Sequence, residues 1–88
     1  MEKLLVQTRA ALSQSGDSLQ LRYYLTAEPD GNLERYGTEV VMTRGGGVES
    51  YGCRDVTPVA SRMLQLIDAL ADNTVTPALL REILTDLL

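Results

Sequence analysis

The last third of the sequence separates apolar from polar side chains with the period of an α-helix, and this pattern constrains the fold most. At about 100° per residue, residues 59–72 place most of their apolar side chains on one arc, and residues 78–88 do the same. The link between the two segments is short, so they predict a helical hairpin or a bent helix pair. Each helix has one apolar side, which needs a second layer to cover it.

Both helical segments begin after the same tripeptide, Val-Thr-Pro, at residues 56–58 and 75–77. A threonine hydroxyl can accept a hydrogen bond from an unpaired N–H of the first turn, and proline fits the first helical position. We interpret the repeat as shared capping chemistry rather than as a duplicated unit. The segment Asp72-Asn73-Thr74 is expected to end the first helix, because asparagine tolerates the left-handed conformation at a helix end.

The first 55 residues instead show features of β-strands. Residues 19–26 alternate apolar and polar side chains with a period of two, and two further strand-like segments cover residues 33–43 and 48–53. Turn-forming residues separate these segments at positions 28–32 and 44–47. The pattern indicates an antiparallel arrangement in which each strand follows its neighbour.

Residues 3–12 fit a strand better than a helix. On a helix their apolar side chains would scatter around the whole circumference. On a strand, four of them would share one face: Leu4, Val6, Ala10 and Leu12. We therefore predict a single small α+β domain over residues 1–88, an antiparallel β-meander of three or four strands followed by two C-terminal α-helices packed on one face. Residues 1–17 are either the first strand or a variable N-terminal arm.

Composition excludes several functions. The chain has 12 acidic and 8 basic side chains, a net charge of −4 and no histidine. The acidic balance predicts no nucleic-acid partner, because phosphate binding needs clustered basic residues. The absence of histidine removes the commonest general base and the commonest metal ligand. With one cysteine, Cys53, no disulfide can form within a single chain.

Two motifs could suggest chemistry, and each has a structural interpretation. The glycines at residues 45–47 precede a strand-like segment and lack the Gly-Lys-Ser/Thr sequence of a phosphate-binding loop. Cys53 is adjacent to Arg54, but neighbouring strand residues point to opposite faces. No histidine is present to activate the thiol. We interpret the first motif as a hairpin loop and Cys53 as a core or sheet-face residue.

Carboxylate pairs occur on the polar faces of both predicted helices, at Asp68/Asp72 and Glu82/Asp86. A general acid needs burial or a charged partner, and a solvated face supplies neither. An arginine of the sheet or of a second chain would relieve the repulsion within such a pair. We predict a solvated face, and therefore no catalytic, cofactor-binding or metal-binding residues, no cofactor and no enzymatic activity.

The N-terminal segment has an apolar run of three residues before Gln7. A secretory signal needs an apolar stretch of about 7–15 residues, and a membrane helix needs about 18. The sequence therefore predicts a cytoplasmic protein without a membrane partner.

Two groups of side chains are candidates for an interaction surface. The tyrosines all lie in strand-like segments, and because Tyr23 and Tyr24 are adjacent they must face opposite sides of the sheet. The leucines of the last helix form an apolar strip that either packs on the sheet or contacts another chain. The candidate interaction surface consists of these residues: Leu80, Leu84, Leu87, Leu88, Tyr24, Tyr36 and Tyr51.

These features favour a non-enzymatic protein–protein interaction module. We expect it to form a homodimer or to bind another protein through the sheet edge or the last helix. The alternative is a small-molecule-binding regulatory domain with a pocket between sheet and helices, near Tyr36, Tyr51 and Cys53.

Several short motifs are also similar to those of a known family: Tyr23-Tyr24-Leu25, residues 34–40, residues 55–57 and the segment from Thr76 to Leu88. Over residues 23–88 the chain resembles a set of short proteins from Firmicute-type bacteria that is classed as a domain of unknown function. The shared motifs are strand aromatics, turn glycines and helix caps. No activity is established for that family, so the resemblance implies a small bacterial intracellular protein and no functional residues.

Overall fold

A computed structural model describes the backbone of residues 2–87 and the side chains of residues 2–85. The elements follow one another as β1 (Glu2–Leu12), β2 (Ser18–Asp30), β3 (Leu33–Arg44), β4 (Gly47–Thr57), α1 (Ala60–Asp72) and α2 (Pro77–Leu87). The strands form one antiparallel sheet in the order β1-β2-β3-β4, and both helices pack on one face. The predicted α+β meander with two C-terminal helices is confirmed, and residues 3–12 are a strand.

Short turns join the consecutive strands of the β2-β3 and β3-β4 hairpins. Each turn contains a glycine in the left-handed region, Gly31 at φ 64° and Gly45 at φ 54°. Glycine adopts this conformation without the steric penalty of a Cβ atom. Because β2 continues through Asp30, the first of these turns is shorter than the predicted segment 28–32.

The core lies between the helices and the sheet face that they cover, and Tyr23 is buried at its centre. Leu21 and Tyr23 of β2 face the helices, as the period-two pattern predicts, and lie opposite Met42 and Val40 of β3. The buried core comprises Leu19, Leu21, Tyr23, Val40, Met42, Met63, Ile67, Leu70, Ala71, Val75 and Leu80. The sheet of the same chain therefore covers part of each apolar arc, whereas Val59, Leu64, Leu66 and Leu79 remain exposed.

A bulge in β1 changes which face its side chains occupy. Val6 is skipped in the pairing of β1 with β2, so the register shifts by one residue at this point. Leu4 and Val6 therefore lie on the helix side, whereas Ala10 and Leu12 lie on the opposite side. The prediction that these four residues share one face is wrong, because the bulge reverses the faces of the residues that follow Val6. The local sequence does not show this, since the bulge exists only in the pairing with β2.

The repeated Val-Thr-Pro sequence acts differently at the two helices. At α2 the Thr76 hydroxyl accepts a hydrogen bond from the backbone N–H of Leu79 at 3.2 Å, as predicted. At α1 the helix begins at Ala60, because Thr57 is still the last residue of β4 and lies opposite Tyr36. Strand pairing therefore decides where the first helix begins.

The end of α1 also differs from the prediction. Asn73 has φ −98° and donates a hydrogen bond from its side-chain nitrogen to the carbonyl oxygen of Ala69 at 2.8 Å. The left-handed conformation is taken by Thr74 instead, at φ 46°. The helix thus ends where expected, but a β-branched residue occupies the strained position.

Candidate interaction surface

Most of the described leucines of α2 pack within the chain's own core. Leu80 is only 3% exposed, and Leu84 is half-buried against the same core. Leu79, in contrast, is 42% exposed. The side chains of Leu87 and Leu88 lie outside the described residues. Among the described residues, the leucine strip therefore mainly packs against the chain's own core.

The tyrosines lie on both faces of the sheet, as the adjacency of Tyr23 and Tyr24 requires. Tyr36 and Tyr51 are half-buried on the helix side, against the core. The Tyr36 hydroxyl donates to a carboxylate oxygen of Glu34 at 3.1 Å, and this hydrogen bond raises the pKa of Tyr36. Tyr24 is on the face opposite the helices, so the seven predicted residues do not form one surface.

Tyr24 is already engaged by neighbouring side chains of its own chain. The Nζ atom of Lys3 lies 4.5 Å from the centroid of the Tyr24 ring and 2.8 Å from a carboxylate oxygen of Glu39. The hydrogen bond to Glu39 is the main reason that the pKa of Lys3 is raised. The Lys3 ammonium group therefore contacts both the Tyr24 ring and the Glu39 carboxylate, on the sheet face opposite the helices.

The two edge strands of the sheet differ in how well they can accept another strand. β1 is interrupted by its bulge and carries Lys3 and Arg9, and both features oppose pairing with a further strand. β4 pairs regularly with β3 from Gly47 to Cys53, and Glu49 is the one charged residue in that stretch. The free edge of β4 is therefore the more suitable one for strand addition.

A groove runs between this edge and α2. It has a volume of about 300 Å³ and is lined by Glu49, Ser50, Tyr51, Pro77, Ala78 and Arg81. A second depression of about 520 Å³ continues along α2 and is lined by Ala78, Arg81, Glu82 and Thr85. Because the two share Ala78 and Arg81, they form one continuous surface. We call it the β4–α2 surface. It consists of Glu49, Ser50, Tyr51, Pro77, Ala78, Arg81, Glu82 and Thr85.

Sequence reasoning missed the β4–α2 surface. Arg81, Glu82 and Thr85 fall on the polar arc of their helix, a pattern that by itself indicates exposure to water. Their position beside Glu49 and Tyr51 depends on where α2 crosses the sheet, and periodicity carries no information on this. The available signal was the meander order, which makes the last strand an edge.

The groove beside Tyr51 is not the predicted small-molecule pocket, because neither Tyr36 nor Cys53 lines it.

Cys53 is half-buried, and its sulfur lies 3.7 Å from the carbonyl oxygen of Arg54. Among the described residues, no group of three or more His, Cys, Asp or Glu side chains is placed to hold a metal ion.

The Asp68/Asp72 pair of α1 has partners on β1. Gln7 donates to a carboxylate oxygen of Asp68 at 3.0 Å, and a terminal nitrogen of Arg9 lies 3.6 Å from Asp72. Both carboxylates are exposed, as the sequence predicts, and the arginine that approaches Asp72 comes from the sheet. These contacts hold α1 along β1.

Within residues 2–87, four antiparallel strands in meander order, with two helices on one face and an open edge at β4, define a small two-layer α+β protein. The chain belongs to DUF6514, a family of unknown function, which matches residues 2–88. The match includes the N-terminal strand, which the resemblance over residues 23–88 left out. No curated protein and no solved structure matches the chain. Over residues 2–87, no helix is long and apolar enough to cross a membrane.

Proposed function

We propose that this chain is a non-enzymatic protein-interaction module of the bacterial cytoplasm that associates with a second copy of itself. The observation that carries the proposal is the difference between the two sheet edges. One edge, β1, is protected by a bulge and by Lys3 and Arg9. At the other edge, residues 47–53 of β4 pair with β3 without a bulge and lie beside the groove of the β4–α2 surface.

The physical basis is the set of unpaired backbone groups along β4. An edge strand presents N–H and C=O groups that pair readily with another strand, and many proteins recognise partners by such strand addition. A chain of 88 residues also buries only about 60–65% of its unfolded surface. Association therefore adds burial that a small core lacks.

The non-enzymatic part of the proposal is supported by the environment of the carboxylates. Asp68 and Asp72 contact polar side chains of β1 on the surface, and Glu28 forms an ion pair with Arg54 at 3.1 Å. General acids and bases are usually found in clefts where burial or a close charge tunes them. The contacts of these acidic residues fit a structural role.

Light scattering behind a sizing column, in reductant and at two protein concentrations, tests the proposal. The expected mass is twice the chain mass of 9.6 kDa. The reductant removes any dimer joined through Cys53. A monomer at both concentrations would contradict self-association.

A further inference from the structure

We infer that the second copy adds its own β4 to the β4 edge, antiparallel about a two-fold axis at Ser50, with Glu49 of each copy beside Arg81 of the other. This inference rests on the proposed self-association and names the interface that produces it. The result is a continuous sheet that runs through both copies, with all the helices on one side.

Length and charge select the register. In a two-fold antiparallel pair, one residue faces its own counterpart across the axis. The regular part of β4, Gly47 to Cys53, has Ser50 at its midpoint, so this register uses the whole stretch. An axis at Glu49 would place two glutamates directly opposite each other, which is destabilising. An axis at Tyr51 would shorten the regular ladder.

The faces of the strand then bring Glu49 to the groove of the other copy. Glu49 and Tyr51 both point to the helix side, since their partners on β3 belong to the core. With the axis at Ser50, Glu49 of one copy lies directly opposite Tyr51 of the other, on the same side of the sheet. Tyr51 and Arg81 line the same groove, so Glu49 enters it next to Arg81.

Both charges are available for this contact. Glu49 and Arg81 line one groove within a chain but form no ion pair with each other, and neither has an ion-pair partner among the described side chains. The two-fold axis generates the Glu49–Arg81 contact twice. Such paired charges across an interface fix the register and exclude wrong partners.

The neighbouring side chains allow close approach. On the sheet face opposite the helices, Val48 is 67% exposed and lies opposite Gly52 of the other copy, which has no side chain to obstruct it. On the helix side, Ala78 and Thr85 are short, so the two α2 helices can lie side by side. Stable interfaces bury roughly 1,200–2,000 Å² in total. We therefore expect the helix contacts to contribute buried area in addition to the strand ladder.

Charge reversal tests the Glu49–Arg81 contact. Glu49→Arg places two cations together at each contact, and Arg81→Glu places two anions there. We expect each single variant to raise the dimer Kd about tenfold or more. An equimolar mixture of the two variants should dimerise again, because both contacts in the mixed dimer then join opposite charges. Both residues are exposed, so circular dichroism should show an unchanged fold.

Arg62→Glu serves as the matched control, since Arg62 is an exposed arginine on α1, outside the β4–α2 surface. Its dimer Kd should equal that of the unmodified chain. If the unmodified chain is a dimer and neither Glu49→Arg nor Arg81→Glu weakens it, the inferred interface is wrong while self-association stands. If the unmodified chain is a monomer, both proposals fail.

Cysteine cross-linking tests the register independently, in a chain whose own cysteine is replaced by Cys53→Ser. Ser50→Cys should form a disulfide-linked dimer under mild oxidation, because directly opposite residues have Cα atoms about 4.5–5.5 Å apart. Val48→Cys should not. Val48 lies two residues from the axis on one side and its counterpart two residues on the other side, so the two are roughly 13 Å apart along the strands. Cross-linking of Val48→Cys without that of Ser50→Cys would overturn the register.

Discussion

The hydroxyl of Tyr23 donates a hydrogen bond to the backbone carbonyl oxygen of Val75, with 2.9 Å between the two oxygens. Tyr23 is fully buried in β2, and Val75 lies in the link between α1 and α2. The contact therefore joins the centre of the sheet to the turn that sets the direction of α2. Because α2 forms one wall of the β4–α2 surface, this hydrogen bond helps to position that surface.

Tyr23→Phe should destabilise the fold. The substitution keeps the ring in the core but removes the donor to the Val75 carbonyl, and a buried polar group that loses its partner costs about 1–3 kcal/mol. Denaturant unfolding measures the change. Tyr24→Phe is the control, because the Tyr24 hydroxyl makes no hydrogen bond with the described residues; it should change stability by less than about 0.5 kcal/mol. Equal effects of the two variants would contradict the role of the Tyr23 hydroxyl.

Stability should fall at alkaline pH through Tyr23. Burial raises the pKa of Tyr23 to about 12, whereas tyrosine in an unfolded chain has a pKa of about 10. Between these values the unfolded chain has lost a proton that the folded chain keeps. This contribution is complete below about pH 10 and is lost as the pH rises towards about 12, by up to about 1.4 kcal/mol per pH unit.

The comparison with Tyr23→Phe isolates this titration. Lys3 and Tyr36, whose pKa values are also raised, titrate in both proteins and cancel in the difference. The stability gap between the two proteins should be constant below about pH 10 and narrow between about pH 10 and about pH 12. A constant gap would show that the pKa of Tyr23 is the same in the folded and unfolded chain.

The element types of this fold were predictable because each segment has one dominant periodicity. Two of the errors occur where a distant strand decides the local structure. The bulge at Val6 exists only in the pairing with β2, and Thr57 extends β4 because it pairs with Tyr36. Neither partner is recognisable from the local sequence.

The interaction surface was less predictable, because the periodicity of a helix shows which residues are apolar but not which chain covers them. Leu80 and Leu79 are adjacent in an apolar strip, yet one is buried in the core and the other is exposed. Similarly, the polar arc that contains Arg81 indicates exposure to water, whereas its position beside β4 follows only from the packed structure. The sheet edge itself was foreseeable from the order of the strands.

Gly37→Ala should destabilise the sheet. A Cβ atom at Gly37 would overlap the carbonyl oxygen of Cys53 and lie 2.8 Å from the Cα atom of Arg54. Both neighbours are backbone atoms of β4 and cannot move without disturbing the strand, so we expect a loss of about 2–3 kcal/mol. Gly46→Ala is the control, because a Cβ atom there meets nothing within 4 Å. A neutral effect of Gly37→Ala in denaturant unfolding would contradict this close approach.

Thr74→Gly should stabilise the chain, although most substitutions to glycine do the reverse. Thr74 holds φ 46°, where a β-branched side chain is strained by about 1–2 kcal/mol. Glycine removes that strain, and its greater freedom in the unfolded chain offsets part of the gain, so the net stabilisation should be about 0.5–1 kcal/mol. Thr8→Gly is the control: the same change in an exposed part of β1 should lower stability by about 0.5–1 kcal/mol. Thermal unfolding of both variants gives the sign directly. Destabilisation by Thr74→Gly as large as that by Thr8→Gly would mean that residue 74 is unstrained where α1 ends.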